Sequence, residues 1–254
     1  MTVRLDESDE YMHELGPEPN FNESMYINAF DPVQCVGGWF RMGNRANEGT
    51  AEMTACLYLP AEVRADGTAG DRQVGFMFKR PAIENNDALD AAGLTWTMVT
   101  PFEELRIDYV GKVVVLDEPE QMTDPKQAFT NNPDAEAEVH LTFTGPGRPS
   151  MFGGEPDVPH EKPGEEFAKG HYEQLVEATG TMLVGEREWQ VAGFGLRDHS
   201  WGPRYWQAPC FYRWLTVKVD ENFGFMASRV AKRDSDGTRG GFVWENGVMH
   251  LCDD

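Results

Sequence analysis

The chain has 254 residues, enough for one large core or two modest ones, and 40% hydrophobic with 11% aromatic content is ample for a folded protein. Lys and Arg total 22 against 43 Asp and Glu, a formal net charge of -21 that repels phosphate backbones and anionic lipid and excludes nucleic acid as an expected partner. No segment has the pattern of a signal peptide and no apolar run approaches the ~20 residues of a membrane helix, so a cytoplasmic protein without integral membrane association is expected.

From the N-terminus, the acidic run Asp6 to Glu10 reads as a solvated tail. Period-two alternation between Gly and Pro punctuation then predicts strands at Met25–Phe30 and Gly38–Met42. It is clearest at Thr50–Leu59, where Ala51, Met53, Ala55, Leu57 and Leu59 face one way and Thr50, Glu52, Thr54 and Tyr58 the other. Strands follow at Gln73–Lys79, Thr95–Thr100, Leu105–Tyr109 and Lys112–Leu116, the last two joined by a hairpin at Val110-Gly111. A short helix is expected at Asp124–Phe129 behind Thr123, then a strand at Glu138–Thr144.

The loop Gly145–Gly164, with repeated Pro, Gly and Glu, divides the chain into lobes 1–145 and 146–254. After a turn near Glu165–Lys169, the second lobe carries strands at Tyr172–Val184, Glu188–Phe194, Tyr212–Val219, Phe223–Ala231, Gly241–Glu245 and Val248–Cys252. Hairpins are expected at Glu221-Asn222 and at Asn246-Gly247, whose residues tolerate a left-handed turn. The chain stops at Asp253-Asp254 directly after a hairpin strand, which leaves either an edge or an unclosed lobe. So many antiparallel strands have to stack as sheets or close on themselves, giving an all-β fold with few short helices. Cys35, Cys56, Cys210 and Cys252 form no CxxC pair and read as free, mostly buried thiols.

Chemistry concentrates in Gly193-Phe194-Gly195-Leu196-Arg197-Asp198-His199-Ser200-Trp201-Gly202-Pro203-Arg204-Tyr205-Trp206, a strand leading into a shaped loop. There is no GxSxG elbow for Ser200, the two glycines at 193 and 195 lack the third of a dinucleotide fingerprint, and no P-loop occurs. His160-Glu161 has no second His at helical spacing. Adjacent strand residues point to opposite faces, which disfavours Asp198 and His199 binding one ion, so neither metal nor other cofactor is expected.

Phe21-Asn22-Glu23-Ser24-Met25-Tyr26, Gly37-Gly38-Trp39-Phe40-Arg41-Met42-Gly43-Asn44-Arg45 and Ala51-Glu52-Met53, with Gly195 to Arg204, resemble bacterial proteins related to the AttH-like and carotenoid 1,2-hydratase (hydroxyneurosporene synthase) group. The resemblance touches both halves, and its Asp-His-x-Trp-Gly core is the most specific element. It implies two lipocalin-like antiparallel β-barrels side by side. In that wider group the fold serves water addition to isoprenoid double bonds and, in fungal relatives, polyene cyclisation.

Hydration or dehydration of an isoprenoid needs a proton donor, a place for water and an apolar cavity that tolerates a developing cation. Asp198 is the acid if desolvation keeps it protonated; paired with Arg197 or Arg204 it becomes a base or structural anion, and His199 carries the proton. Trp201, Tyr205 and Trp206 offer aromatic faces or core anchors. Glu23, Asn44, His171 and Tyr172 are further candidates for a cavity between the lobes, whereas Arg41 and Arg45 read as solvent-facing. Glu23 alternatively caps a turn with Asn22, and Asn44 alternatively takes a left-handed position after Gly43. The expected function is that of a hydratase/dehydratase or isomerase/cyclase acting on a small apolar, isoprenoid- or steroid-like molecule, compatible with a homodimer. The competing reading is a non-catalytic carrier of a lipophile.

Overall fold

The computed structural model describes residues 5–61, 70–87, 89–147, 152–153, 168–205, 209–233 and 235–252. Its strands are β1 (Phe21–Asp31), β2 (Val36–Arg45), β3 (Thr50–Leu59), β4 (Gln73–Lys79), β5 (Asp90–Ala91), β6 (Leu94–Thr100), β7 (Glu104–Leu116) and β8 (Asp134–Thr144). After these come β9 (Phe152–Gly153), β10 (Gly170–Val184), β11 (Arg187–Pro203), β12 (Phe211–Lys218), β13 (Phe223–Ala231), β14 (Thr238–Glu245) and β15 (Val248–Cys252). The one α-helix among the described residues, α1 (Pro125–Asn131), is capped by Asp124, which accepts from the Gln127 N–H. None of the described helices is long and apolar enough to cross a membrane.

The protein is all-β. Strands β4, β3, β2, β1, β11, β10, β8 and β7 follow one another in hydrogen-bonded order, and β4 pairs back onto β7 from Val74↔Leu116 to Phe76↔Val114. The eight therefore form a closed antiparallel barrel, which leaves no edge among them. Alternation sends Ile27, Phe40, Met42, Met53, Leu57, Ile107, Tyr109, Val139 and Met182 into one shared core. Full burial of each such side chain stabilises the fold by roughly 1.5–3 kcal/mol.

Strands β12 to β15 make a separate sheet in sequential order. Its Met226, Phe242 and Trp244 pack on Leu175 and Leu196, which point outward from the barrel wall. Hydrogen bonding does not break at the 145/146 division, since β8 pairs with β10 from Glu177↔Thr144 to Val184↔Ala137; it breaks between β11 and β12.

The hairpin read at Val110-Gly111 is not formed: both residues lie inside β7, paired with Glu138 and Ala137 of β8. On its other side β7 exchanges partners there, from β6 before Val110 to β4 after Lys112, so the glycine marks a change of neighbour rather than a turn. Asn246-Gly247 does turn, at φ 50 and 83. Cys56 is buried and Cys35 partly so, but Cys210 and Cys252, on or beside the strands of the smaller sheet, are exposed, against the expectation of mostly buried thiols. Of the turn expected near Glu165–Lys169, residues 165–167 lie outside the described residues.

Strand β11 crosses closely over β1. Pairing lapses between Ile27↔Arg197 and Phe30↔Phe194, where the Leu196 N–H donates to Asn28 Oδ1, and a Cβ on Gly195 would lie 1.8 Å from the Asn28 carbonyl oxygen. Gly195→Ala must therefore push β1 and β11 apart. A loss of about 1–3 kcal/mol is expected in urea unfolding, and an unchanged midpoint would show that the barrel yields freely there.

Candidate functional site

The barrel interior is apolar except near one end, where the start of β1, the end of β2, the start of β10 and the end of β11 meet. Register puts Glu23 beside Asn44, Met25 beside His199, and His199 beside Tyr172. Glu23, Asn44, His199, Tyr172 and Arg197 are all buried. Over this end run residues 5–20, held by Asn47 donating to the Gly16 and Glu18 carbonyls and by Asn86 donating to the His13 carbonyl. Asn20 and Arg204 exchange further bonds where this strap enters β1.

The acidic run read as a solvated tail belongs to this plug. Asp6 and Asp9 form a capping box around the short 3-10 helix Glu7–Glu10, and Glu10 is 0% exposed. Arg197 accounts for that burial: its Nη1 and Nη2 donate to Glu10 Oε2 and Oε1 at 3.0 and 2.7 Å. Burial pushes the Glu10 carboxyl up, but the Arg197 charge and hydrogen bonds outweigh it and hold it below its ordinary value. The Tyr172 hydroxyl donates to Glu10 Oε1 at 2.6 Å, and burial raises its pKa well above the usual phenol value.

Glu23 is the centre of the other half of the cluster. Its Oε1 lies 2.7 Å from His199 Nε2 and 2.8 Å from His13 Nδ1, while Oε2 accepts from the His13 N–H and from Asn86 Nδ2. Burial pushes this carboxyl up, yet the hydrogen bonds and charges of the two histidines bring it down to about 2. His199 Nδ1 faces the Tyr172 hydroxyl at 3.3 Å, and His13 Nε2 faces Asp9 Oδ1 at 3.1 Å. Trp201 stacks on His13 with ring centroids 3.7 Å apart. A continuous chain of contacts thus runs Asp9, His13, Glu23, His199, Tyr172, Glu10, Arg197. Its inner groups, Tyr172, His199 and Arg197, border a cavity of about 10 Å³ whose remaining wall is Met25, Trp96, Met98, Leu105 and Asp198.

Asp198 is turned to the other face of β11, away from the cluster. Its Oδ2 lies 2.8 Å from His171 Nε2, which is also 3.0 Å from Glu173 Oε1, and Glu173 Oε2 accepts from Trp214 of β12. The arginine partner considered for Asp198 is thus a histidine, and this group sits where the smaller sheet meets the barrel. Burial lowers the His171 pKa, but the Asp198 charge and the two carboxylate hydrogen bonds raise it from 6.5 to about 10. Folded imidazole then holds its proton more tightly than unfolded, so this contribution is complete below about pH 6.5 and is lost as pH rises through about 10. The denaturation midpoint should fall more steeply between pH 7 and 10 in the native chain than in His171→Gln; parallel profiles would remove the pair from the stability of the fold.

Glu23 and Asn44 lie within strands, in neither the cap nor the left-handed turn considered for them. Arg41 bonds Ser24 Oγ and Glu52, and Arg45 bonds Glu48, as solvent-side residues do. Arg204 donates to Ser200 Oγ, Tyr205 is half-buried just past β11, and Trp206 lies outside the described residues. The residues missed are Glu10, His13 and Asn86. Asp9 to His13 places a carboxylate and an imidazole at i, i+4, but nothing in that spacing points to partners 10 and 187 residues away.

Among the described residues, two groups of side chains have the donor types to hold a cation: His13, Glu23 and His199, and His171, Glu173 and Asp198.

A family model described as "Domain of unknown function (DUF7064)" matches residues 6–254. No curated protein matches the sequence. Among solved structures, the chain is similar to a Nitrosomonas europaea protein provisionally described as AttH, with 11% identity, 94% of this chain and 72% of that one covered, and a TM-score of 0.49. It is also similar to CghA, solved with Sch210972, with 12% identity, 96% of this chain and 66% of that one covered, and a TM-score of 0.42. The chain thus spans just under two thirds of CghA.

Proposed function

This chain belongs to the DUF7064 family, and we propose that it is a proton-transfer enzyme, a hydratase/dehydratase or isomerase/cyclase acting on an apolar isoprenoid- or steroid-like molecule at the strapped end of its barrel. One observation carries the reading: Tyr172 and His199, each backed by a buried carboxylate, face a cavity whose wall is completed by Met25, Trp96, Met98 and Leu105 together with Arg197 and Asp198. Ionisable groups are costly to bury, and a core that needed only packing would hold apolar residues there. Groups of this kind inside an apolar wall are what acid–base chemistry on a hydrocarbon requires.

In this reading Tyr172 and His199 exchange the proton, Glu23 orients His199, and Arg197 holds Glu10 ionised behind Tyr172. The 10 Å³ space has the size of about one water. The substrate enters as the strap 5–20 lifts, and Asp198 holds the sheet contact on the outer face. Purified protein incubated with terpenoid and steroid alcohols and alkenes, followed by mass spectrometry, should show gain or loss of one water or an isomeric product. A panel left unchanged would count against the reading.

The carrier reading draws on a different place, a pocket of about 290 Å³ on the outer face of the smaller sheet, lined by Arg213, Leu215, Ala227, Arg229 and Cys252 among others. It predicts saturable binding of a lipophilic fluorophore that Leu215→Asp abolishes and Glu23→Gln leaves unchanged.

A further inference from the structure

We infer that His13, Glu23 and His199 form a binding site for one divalent transition-metal ion of the zinc class. The inference goes beyond the proposed reaction and is tested without a substrate. It rests on counting donors and acceptors. Glu10 is held by both guanidinium nitrogens of Arg197 and can only accept, so the Tyr172 O–H is spent on it. Toward His199 the phenol oxygen then accepts, which places a proton on Nδ1. His13 Nε2 likewise faces the Asp9 carboxylate, an acceptor, and carries its proton there. In the neutral rings the remaining nitrogens, His199 Nε2 and His13 Nδ1, each present a lone pair to the same atom, Glu23 Oε1, at 2.7 and 2.8 Å.

Three lone pairs cannot face one another uncompensated in a buried site. Protons alone satisfy them with both rings cationic, centroids 5.7 Å apart, against one carboxylate oxygen, or with one ring cationic and Glu23 protonated toward the other. One divalent ion satisfies all three with neutral imidazoles. The donor atoms lie within 4.8 Å of one another, and two imidazoles with a carboxylate are a zinc-type set that leaves a position open. Each donor is also oriented from behind, His13 by Asp9, His199 by Tyr172 and Glu10, and Glu23 by Asn86, as metal ligands ordinarily are. The cluster on the outer face differs in kind: one imidazole nitrogen lies between two carboxylates, which a single proton completes.

The test is calorimetric titration of the chelator-treated full chain with Zn²⁺, and the visible spectrum with Co²⁺ in its place. Expected are one saturable site, a cobalt band of low coordination number, at least a hundredfold weaker binding in His13→Gln and Glu23→Gln, and about tenfold weaker binding in Asp9→Asn. His13 lies on the strap rather than in the barrel wall, so its variant keeps the reading open if Glu23→Gln does not fold. The inference is overturned if neither ion binds saturably, if His13→Gln binds as the native chain does, or if His171→Gln abolishes binding instead. Metal binding without turnover would leave this inference standing and count against the proposed reaction; turnover by the metal-free chain with no metal uptake would do the reverse.

Discussion

Arg197→Met should cost about 3–5 kcal/mol of folding stability, the largest single effect expected in this protein. The guanidinium is buried, and its removal strands Glu10, 0% exposed, as a carboxylate whose charge has lost its partner. The fold must then protonate Glu10, release the strap, or carry the buried charge. At ~2–4 °C per kcal/mol for a chain of this size, melting should fall by roughly 6–20 °C. Glu10→Gln in the same background should recover much of the loss, because the charge is then absent. A fall of under about 1 kcal/mol in Arg197→Met would mean that the strap is already detached in solution.

The second large effect concerns turnover. On the substrate found by the mass-spectrometric screen, Tyr172→Phe and Glu23→Gln should each lower the rate by ~10²–10⁴, the range usual for removing a proton-transfer group or the partner that orients it. Tyr172→Phe keeps the ring that packs edge-on against Phe102 and His199, so its melting temperature should move far less than that of Arg197→Met. Asp198→Asn supplies the contrast, since its carboxylate belongs to the His171 pair on the outer face. Were Asp198→Asn to abolish turnover while Tyr172→Phe kept it, the reacting groups would lie under the smaller sheet. Losses of rate that track losses of melting temperature across all three variants would make both clusters structural.

The two effects share a cause. The strap 5–20 is bound to the barrel chiefly by charge and hydrogen bonds, through Glu10, His13, Gly16, Glu18 and Asn20, with Leu5 and Met12 adding apolar contact. Contacts of that kind exchange with water more readily than a packed core opens. The same residues therefore close the end of the barrel and, in the proposed reaction, orient its proton-transfer groups.

What the sequence determined by itself was local. The strands at Thr50–Leu59, Gln73–Lys79, Phe223–Ala231 and Val248–Cys252 have the bounds read from alternation, because side-chain direction in a strand depends only on neighbours two residues apart. The same rule sent Asp198 and His199 to opposite faces, and the turn chemistry of Asn246-Gly247 needed no distant partner. Tertiary structure decided the rest. Gly111 looked like a turn, but pairing with the full length of β8 kept it in a strand. Asp6 to Glu10 looked solvated, and only the position of Arg197, 187 residues on from Glu10, made burial of that carboxylate favourable. Glu23, His13 and His199 converge because β11 lies beside β1 in one register and the strap folds over them both. Register between distant strands is set by which apolar faces close the barrel together, a property of the whole chain that no segment carries alone.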